Sequence, residues 1–153
     1  MSAEATMKNL GIELPNPPTP LGSYVGAVQT GNLVYISGQG PRRPDGTSIT
    51  GKVGTGGMSI ADAQAAARLV GLNALATLRA EIGDLDRVKR VVKVLGMVNA
   101  APDFNEHPKV INGYSDLMFE VFGEAGRHAR SAVGMGSLPF QIPVEVEMIV
   151  EVD

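Results

Sequence analysis

Two charged residues in the C-terminal part of the chain, Arg130 and Glu145, have side chains whose types and spacing could form a polar site. A guanidinium can hold a carboxylate through two parallel hydrogen bonds, a geometry that lysine cannot copy. Glu145, fifteen residues later, begins the outward face of the next predicted strand. If the predicted strands that carry them are antiparallel neighbours, the two side chains lie close together. Spacing alone also leaves open an ordinary surface ion pair, worth about 0–1 kcal/mol.

A second set of polar side chains is predicted at the N-terminal end of the sheet. Gly31-Asn32 is a two-residue turn signal between two β-prone runs, so residues 24–39 are expected to form a hairpin. Pairing across this turn, with side chains alternating between faces, would place Tyr24, Ser37 and Gln39 on one face. That patch has two interpretations: a polar binding surface, or a structural pair in which Tyr24 and Ser37 satisfy each other.

Several other kinds of site are not expected. The chain has no Cys and only two histidines, His107 and His128, so neither a zinc site nor any other metal or cofactor is predicted. The glycine-rich segment Gly51–Gly57 lacks the Gly-Lys-Ser/Thr ending of a phosphate-binding loop. Ser37 has no histidine nearby in sequence, and His128 lies close to two arginines, which makes it a poor general base for a serine hydrolase.

Composition limits the class of protein further. The net charge of −3, 5% aromatic residues and the absence of Trp argue against a nucleic-acid partner, which usually meets a basic surface with stacking aromatics. The apolar runs are too short for a membrane span. The first ten residues lack the basic and apolar regions of a signal peptide, so a cytoplasmic location is expected. With 44% hydrophobic residues, 153 residues fit a single domain.

Two helices are predicted from apolar residues that recur every three or four positions. The first opens at Ser59 as a capping residue, buries a stripe that is mostly alanine, and ends at Gly83. The second begins near Pro108 and ends before Gly123. Gly113 lies inside the second helix, where glycine costs about 1 kcal/mol relative to alanine, so we expect it to permit a close contact.

The remaining segments predict a mixed sheet of about six strands with both helices on one face, an α+β fold. β-branched or alternating patterns predict strands at Val88–Ala100, Ser131–Met135 and Val144–Val152, and residues 40–58 are expected to form a loop with one short strand. Residues 1–20 are expected to be an extended N-terminal lead-in. The uncovered face of the sheet is expected to be rich in Val and Met, and to be buried against copies of the same chain.

Five stretches of this sequence resemble the RidA (YjgF/L-PSP) family of reactive-intermediate deaminases, in matching order and spacing over roughly residues 20–152. They are Gly22-Ser-Tyr24, Val34-Tyr-Ile-Ser37-Gly38-Gln39, Val110-Ile-Asn112-Gly-Tyr114, Ala129-Arg130-Ser131, and Leu138-Pro139 followed by Val144-Glu145-Val-Glu147. Five motifs in order are far more specific than any one of them. The longer lead-in and the glycine-rich insertion indicate a divergent branch.

The resemblance implies a single chorismate-mutase-like domain over residues 1–153 that forms a homotrimer with its sites between subunits. It implies that Arg130 binds the substrate carboxylate and that Glu145 positions the hydrolytic water. Tyr24, Ser37 and Asn112 correspond to the remaining polar lining of the pocket. The reaction implied is hydrolysis of small 2-imino or enamine carboxylic acids to 2-oxo acids and ammonia, without a cofactor.

This chain departs from the family pattern beside the arginine. Ala132 replaces a common Cys, and Gly134-Met-Gly-Ser137 replaces a common Glu-Val-Ala-Arg, so the identity of the substrate stays open. Two alternative functions also remain open at this point. One is a non-catalytic trimer that binds a small carboxylate, and the other is an endoribonuclease, a label that some family members carry.

Overall fold

The computed structural model describes residues 2–153; Met1, which the predicted domain includes, lies outside them. Five strands and three helices make up the fold. Their bounds are α1 Ala3–Leu10, β1 Ala27–Thr30, β2 Leu33–Gln39, α2 Ile60–Ile82, β3 Val88–Asn99, α3 His107–Phe122, β4 Ala129–Met135 and β5 Val144–Val152. No helix in this part of the chain is long and apolar enough to cross a membrane.

The strands form one mixed sheet in the order β1-β2-β5-β3-β4. Every neighbouring pair is antiparallel except β3 and β4, which run parallel and are joined through α3. The predicted α+β class and mixed sheet are therefore confirmed. The strand count is five rather than about six, because residues 40–58 contribute only isolated bridges, at Arg42, Val53 and their partners.

The two long helices begin and end where their capping residues predict. The Ser59 hydroxyl accepts a hydrogen bond from the Asp62 backbone N–H at 3.1 Å, and Gly83 ends α2 with a φ of 86°. Pro108 lies in the first turn of α3, and Gly123 follows its last residue. Gly113 makes the predicted close contact, because a Cβ there would lie 2.1 Å from the Gln64 backbone oxygen in α2.

The hydrophobic core lies between the sheet and the two long helices. Alternate residues of β5, from Val144 to Val152, are buried on the helix side, with Val94 and Val98 of β3 beside them. The expectation of an uncovered Val- and Met-rich face is therefore wrong, because α2 and α3 already cover that face. The opposite face is mixed: Tyr35 is 44% exposed, and charged residues such as Glu147 lie among its apolar side chains.

The N-terminal segment corrects another expectation. Residues 1–20 were expected to be extended, but Ala3–Leu10 form a helix that is capped by the Ser2 hydroxyl and ended by Gly11 at a φ of 68°. Ala3 and Met7 are buried against the rest of the protein. The Glu4 carboxylate pairs with Arg79 at 3.3 Å, which ties this helix to α2.

The predicted hairpin register is confirmed, with Thr30 opposite Leu33 and Val28 opposite Tyr35. Its polar patch is not formed as expected. A register shift after Ile36 turns Gln39 inward, opposite buried Val146, so Gln39 does not share a face with Ser37. The ordered strand also begins at Ala27, which leaves Tyr24 in the bend before it.

Candidate functional site

The predicted proximity of Arg130 and Glu145 within one chain is wrong. β3 lies between β4 and β5, so Arg130 pairs with Val94, which in turn pairs with Met148. Two strand spacings and an offset of three residues place the Cα atoms of Arg130 and Glu145 about 14 Å apart. The two side chains also lie on opposite faces of the sheet, since Arg130 shares the helix-covered face with Val94 whereas Glu145 alternates with buried Val144.

Arg130 lies on the edge strand β4 and reaches toward α3. Its Nη1 donates to the Asn112 Oδ1 at 2.8 Å and to the Ser115 Oγ at 3.1 Å. These residues line a surface cavity of about 320 Å³ together with Asp116, Phe119, Gly126, Arg127 and His128. The structure therefore brings together two of the predicted residues, Asn112 and Arg130.

His128 is a member of this cavity that the sequence analysis set aside. Its Nε2 lies 2.9 Å from the Ser115 Oγ, and its Nδ1 lies 2.7 Å from the Gly126 carbonyl oxygen. Burial lowers the pKa of His128, and the positive charge of Arg130 lowers it further, against the opposing effect of the Gly126 carbonyl. The imidazole is therefore neutral at pH 7.

Glu145 lines a different cavity, of about 170 Å³, at the end of the sheet where β2 and β5 pair. Tyr24 lies on the same cavity, so this second pair of predicted residues also comes together. Apolar residues of the N-terminal segment and of the loop before β5 complete much of the wall, including Leu21 and Phe140, and Arg42 also contributes to it. Phe140 is 75% exposed and has a φ of 56°, which is unusual for a residue other than glycine.

The environment of Glu145 makes its carboxyl harder to ionise than that of an exposed glutamate. Burial raises the pKa of Glu145 above its ordinary value, and the charge of Glu147 two residues along the strand raises it further. Gly38 lies directly against this side chain, since a Cβ at that position would be 2.6 Å from the Glu145 Oε2. A half-buried carboxylate of this kind is suited to proton transfer.

Ser37 lies apart from both cavities. Its hydroxyl donates to the Val25 carbonyl at 2.6 Å, and its side chain lines the mixed outer face of the sheet with Tyr35, Leu95 and Ile149. The structural pairing of Tyr24 with Ser37 is therefore not formed. The five predicted residues form two pairs, Tyr24 with Glu145 and Asn112 with Arg130, and Ser37 remains separate.

Three residues of the site were not predicted, namely Gly38, Ser115 and His128. Gly38 was within reach of sequence analysis, since it follows Ser37 in a quoted motif. Ser115 carries a weaker signal: it lies three residues after Asn112, which on a helix places both on one face. Among residues 2–153, no group of three or more His, Cys, Asp or Glu side chains lies close enough together to hold a metal ion.

A mixed sheet with two long helices on one face, and cavities at its free edge and at one end, defines a small α+β protein. The family described as "YjgF/chorismate mutase-like, putative endoribonuclease" matches residues 4–152. The chain belongs to this family, which confirms the RidA/YjgF resemblance and the chorismate-mutase-like fold.

Three similar proteins illustrate the range of the family. The chain is 45% identical to Protein TCP17 of Trypanosoma cruzi over 97% of this chain and 93% of that protein. It is 33% identical to a 2-iminobutanoate/2-iminopropanoate deaminase of Dermatophagoides farinae over 93% and 95% of the two chains. The crystal structure of Atu1372 from Agrobacterium tumefaciens, a protein of unknown function, is 43% identical and covers 99% of this chain and 94% of its own, with a TM-score of 0.88.

Proposed function

We propose that this protein hydrolyses small 2-imino or enamine carboxylic acids to 2-oxo acids and ammonia. The observation that carries the proposal is the state of Arg130, a half-buried arginine fixed in a cavity by two neutral partners. Within residues 2–153, no carboxylate forms an ion pair with it. A held guanidinium without a protein carboxylate is suited to the carboxylate of a ligand. The similarity to an imine deaminase supports the reaction class.

The proposed reaction needs few groups from the protein. Arg130 binds the substrate carboxylate and so orients the adjacent C=N carbon. Glu145, in its ionised form, accepts a proton from water as the water oxygen bonds to that carbon. The proton on Glu145 passes to the imine nitrogen, which gives a neutral amino alcohol. Glu145 then takes the hydroxyl proton and passes it to the nitrogen as the C–N bond breaks, which releases ammonia and leaves a C=O group. One water is consumed, and no oxidant or reductant is required.

The distance between Arg130 and Glu145 requires that the complete site be shared between chains. Arg130 lies on the free edge strand β4, whereas Glu145 and Tyr24 line a cavity where β2 and β5 pair. In the homotrimer that the family resemblance implies, the edge of one subunit meets the Glu145 cavity of its neighbour. This arrangement would provide three equivalent sites, each with Arg130 and Asn112 from one chain and Glu145 and Tyr24 from another.

The test is to measure ammonia release from 2-iminopropanoate or 2-iminobutanoate generated in situ, with the wild type and Arg130→Ala. We expect the wild type to accelerate release above the spontaneous rate and Arg130→Ala to lose that acceleration while remaining folded. Arg127→Ala is the matched control, because Arg127 lines the same cavity but pairs with Glu124 at 3.0 Å and packs on the ring of Phe119. This control should retain activity.

Other outcomes assign the site differently. Full activity of Arg130→Ala combined with loss in Arg42→Ala would move the carboxylate anchor to Arg42, which shares the cavity of Glu145. Binding of 2-oxobutanoate without any turnover of the imines would instead indicate a carboxylate-binding protein. Degradation of RNA that disappears in Arg130→Ala would support the endoribonuclease description of the family.

A further inference from the structure

The hydrogen bonds of Arg130 leave one particular edge of its guanidinium free. Arginine has five N–H groups, and both hydrogens of Nη1 are taken by Asn112 and Ser115. Of the remaining three, one Nη2 hydrogen points toward the Nη1 side, and the other Nη2 hydrogen and the Nε hydrogen lie along a single edge of the planar group. In the described part of the chain nothing accepts from that edge, so it is the one that can make two parallel bonds to a carboxylate.

The Ser115 hydroxyl can accept from Arg130 only while its own proton is directed elsewhere. The nearest acceptor for that proton is the His128 Nε2 at 2.9 Å. The other ring nitrogen lies 2.7 Å from the Gly126 carbonyl oxygen, which only accepts, so Nδ1 carries the ring proton and Nε2 is free to accept. The network therefore runs in one direction, from Arg130 through Ser115 and His128 to Gly126.

The surrounding charges agree with this neutral tautomer. Arg130 and Arg127 lie on the same segment as His128, and Asp116 faces the cavity from α3. Arg127 is turned toward Glu124 and the Phe119 ring. Burial and the nearby Arg130 both lower the pKa of His128, so the ring stays neutral and its Nε2 stays an acceptor at pH 7.

We propose that Ser115 and His128 are positioning residues that fix the rotation of the Arg130 guanidinium, so that its Nε–Nη2 edge faces the bound carboxylate. The proposal rests on the carboxylate-binding role of Arg130 proposed above. Neither residue needs to touch the ligand. His128 acts through Ser115. Its Nε2 accepts the hydroxyl proton of Ser115, which leaves the Ser115 oxygen free to accept from the Arg130 Nη1.

The test measures binding of 2-oxobutanoate, a stable carboxylate of the expected product class, by isothermal titration calorimetry with the full-length protein. Loss of one hydrogen bond to a charged group corresponds to about a tenfold change in affinity. We therefore expect Ser115→Ala and His128→Phe each to raise the Kd about tenfold. The double variant should show no further loss, since both substitutions break the same chain of hydrogen bonds from Arg130 through Ser115 to His128.

Two controls separate positioning from a merely structural role. His128→Gln places an amide oxygen near the position of Nε2 and should retain much of the affinity, whereas His128→Phe preserves only the ring. Arg127→Ala should bind within about twofold of the wild type, because Arg127 makes no bond to Ser115. A structural role would instead lower the thermal midpoint of both His128 variants and leave the Kd of the folded fraction unchanged.

The possible failures are distinct. If Arg130→Ala loses binding while Ser115→Ala and His128→Phe bind like the wild type, the positioning role is wrong and the proposed function stands. Additive losses in the double variant would show that His128 does not act through Ser115. If Arg130→Ala binds as tightly as the wild type, the carboxylate role of Arg130 itself fails. Ser115→Ala alone decides the matter if His128→Phe does not fold.

Discussion

The carboxyl group of Glu145 depends on the absence of a side chain at residue 38. A Cβ on Gly38 would lie 2.6 Å from the Glu145 Oε2, closer than atoms can approach without moving. The backbone at Gly38 does not require a positive φ, so the requirement for glycine there is steric. The position of the proposed base is therefore set by its neighbour on β2 as well as by its own strand.

Gly38→Ala should displace the Glu145 carboxylate and reduce kcat on imino acids by about tenfold or more, because misplacement by about 1 Å can cost up to 10²-fold. Steady-state kinetics would measure the effect, and circular dichroism would check the fold. Gly136→Ala is the matched control, since a Cβ there meets open space and its φ is unremarkable. Equal activity of the two variants would remove Glu145 from the reaction.

The pH dependence of activity follows from the pKa of Glu145, which burial and the charge of Glu147 set. Activity requires ionised Glu145, so it should rise with pH through the pKa of Glu145, which burial and Glu147 raise. Glu147→Gln removes the repulsion, lowers that pKa and should move the acidic limb of kcat/KM to lower pH. Glu151→Gln removes the same charge farther along β5 and should leave the limb in place. An unchanged limb in Glu147→Gln would mean that another group titrates.

The sequence predicted Arg130 and Glu145 as candidate site residues but did not predict the side chains that contact them. Arg130 and Glu145 were chosen because the stretches that contain them resemble the family's motifs, in matching order. Ser115 and His128 were not, because a hydrogen bond between residues 13 positions apart depends on how the turn after α3 returns to β4. No local pattern encodes that path.

At the scale of helices and strands, α2 and α3 approach each other closely at Gly113. A Cβ on Gly113 would lie 2.1 Å from the Gln64 backbone oxygen, and the helix backbone cannot move aside without moving the whole helix. Gly71 lies in the same helix pair, but a Cβ there would meet the tip of the Leu117 side chain, which can rotate.

Gly113→Ala should therefore destabilise the protein by about 3 kcal/mol or more, above the usual cost of overpacking. Both substitutions gain the same helix propensity of about 1 kcal/mol. Gly71→Ala should therefore cost clearly less stability, because its new methyl group meets only a side chain that can rotate. Urea unfolding of the two variants measures the difference. If Gly71→Ala proved the more damaging, then the separation of α2 and α3 would not be fixed at Gly113.

The two long helices were predictable to within a residue or two, whereas the order of the strands was not. Ser59, Gly83 and Pro108 mark helix ends through local hydrogen bonding and backbone geometry. The insertion of β3 between β4 and β5 is decided by how α3 crosses the sheet, and nothing in the strands themselves encodes it. The helix Ala3–Leu10 was missed although Ser2 and Gly11 cap it, because the Pro-rich residues that follow dominated the interpretation.

For the whole molecule, the two halves of the proposed site in one chain are too far apart to act on one small substrate. Arg130→Ala and Glu145→Gln subunits should each be inactive alone. Mixed by refolding or co-expression, they should form hybrid trimers in which some sites combine an intact Arg130 with an intact Glu145. Ammonia release from the mixture, well above either parent, is the expected result. Complete inactivity of verified hybrids would place both residues in one chain's site.

An exposed residue of the Glu145 cavity also allows ligand binding to be followed by fluorescence. Phe140 is exposed there, and the chain contains no Trp. Phe140→Trp would introduce the sole tryptophan fluorophore, in the wall of the cavity that Leu21 and Glu145 also line. Its emission would shift when a ligand excludes water from the cavity, and would also change when a neighbouring subunit approaches. Occupancy and assembly would then be followed in real time on one optical signal, without a chromogenic substrate.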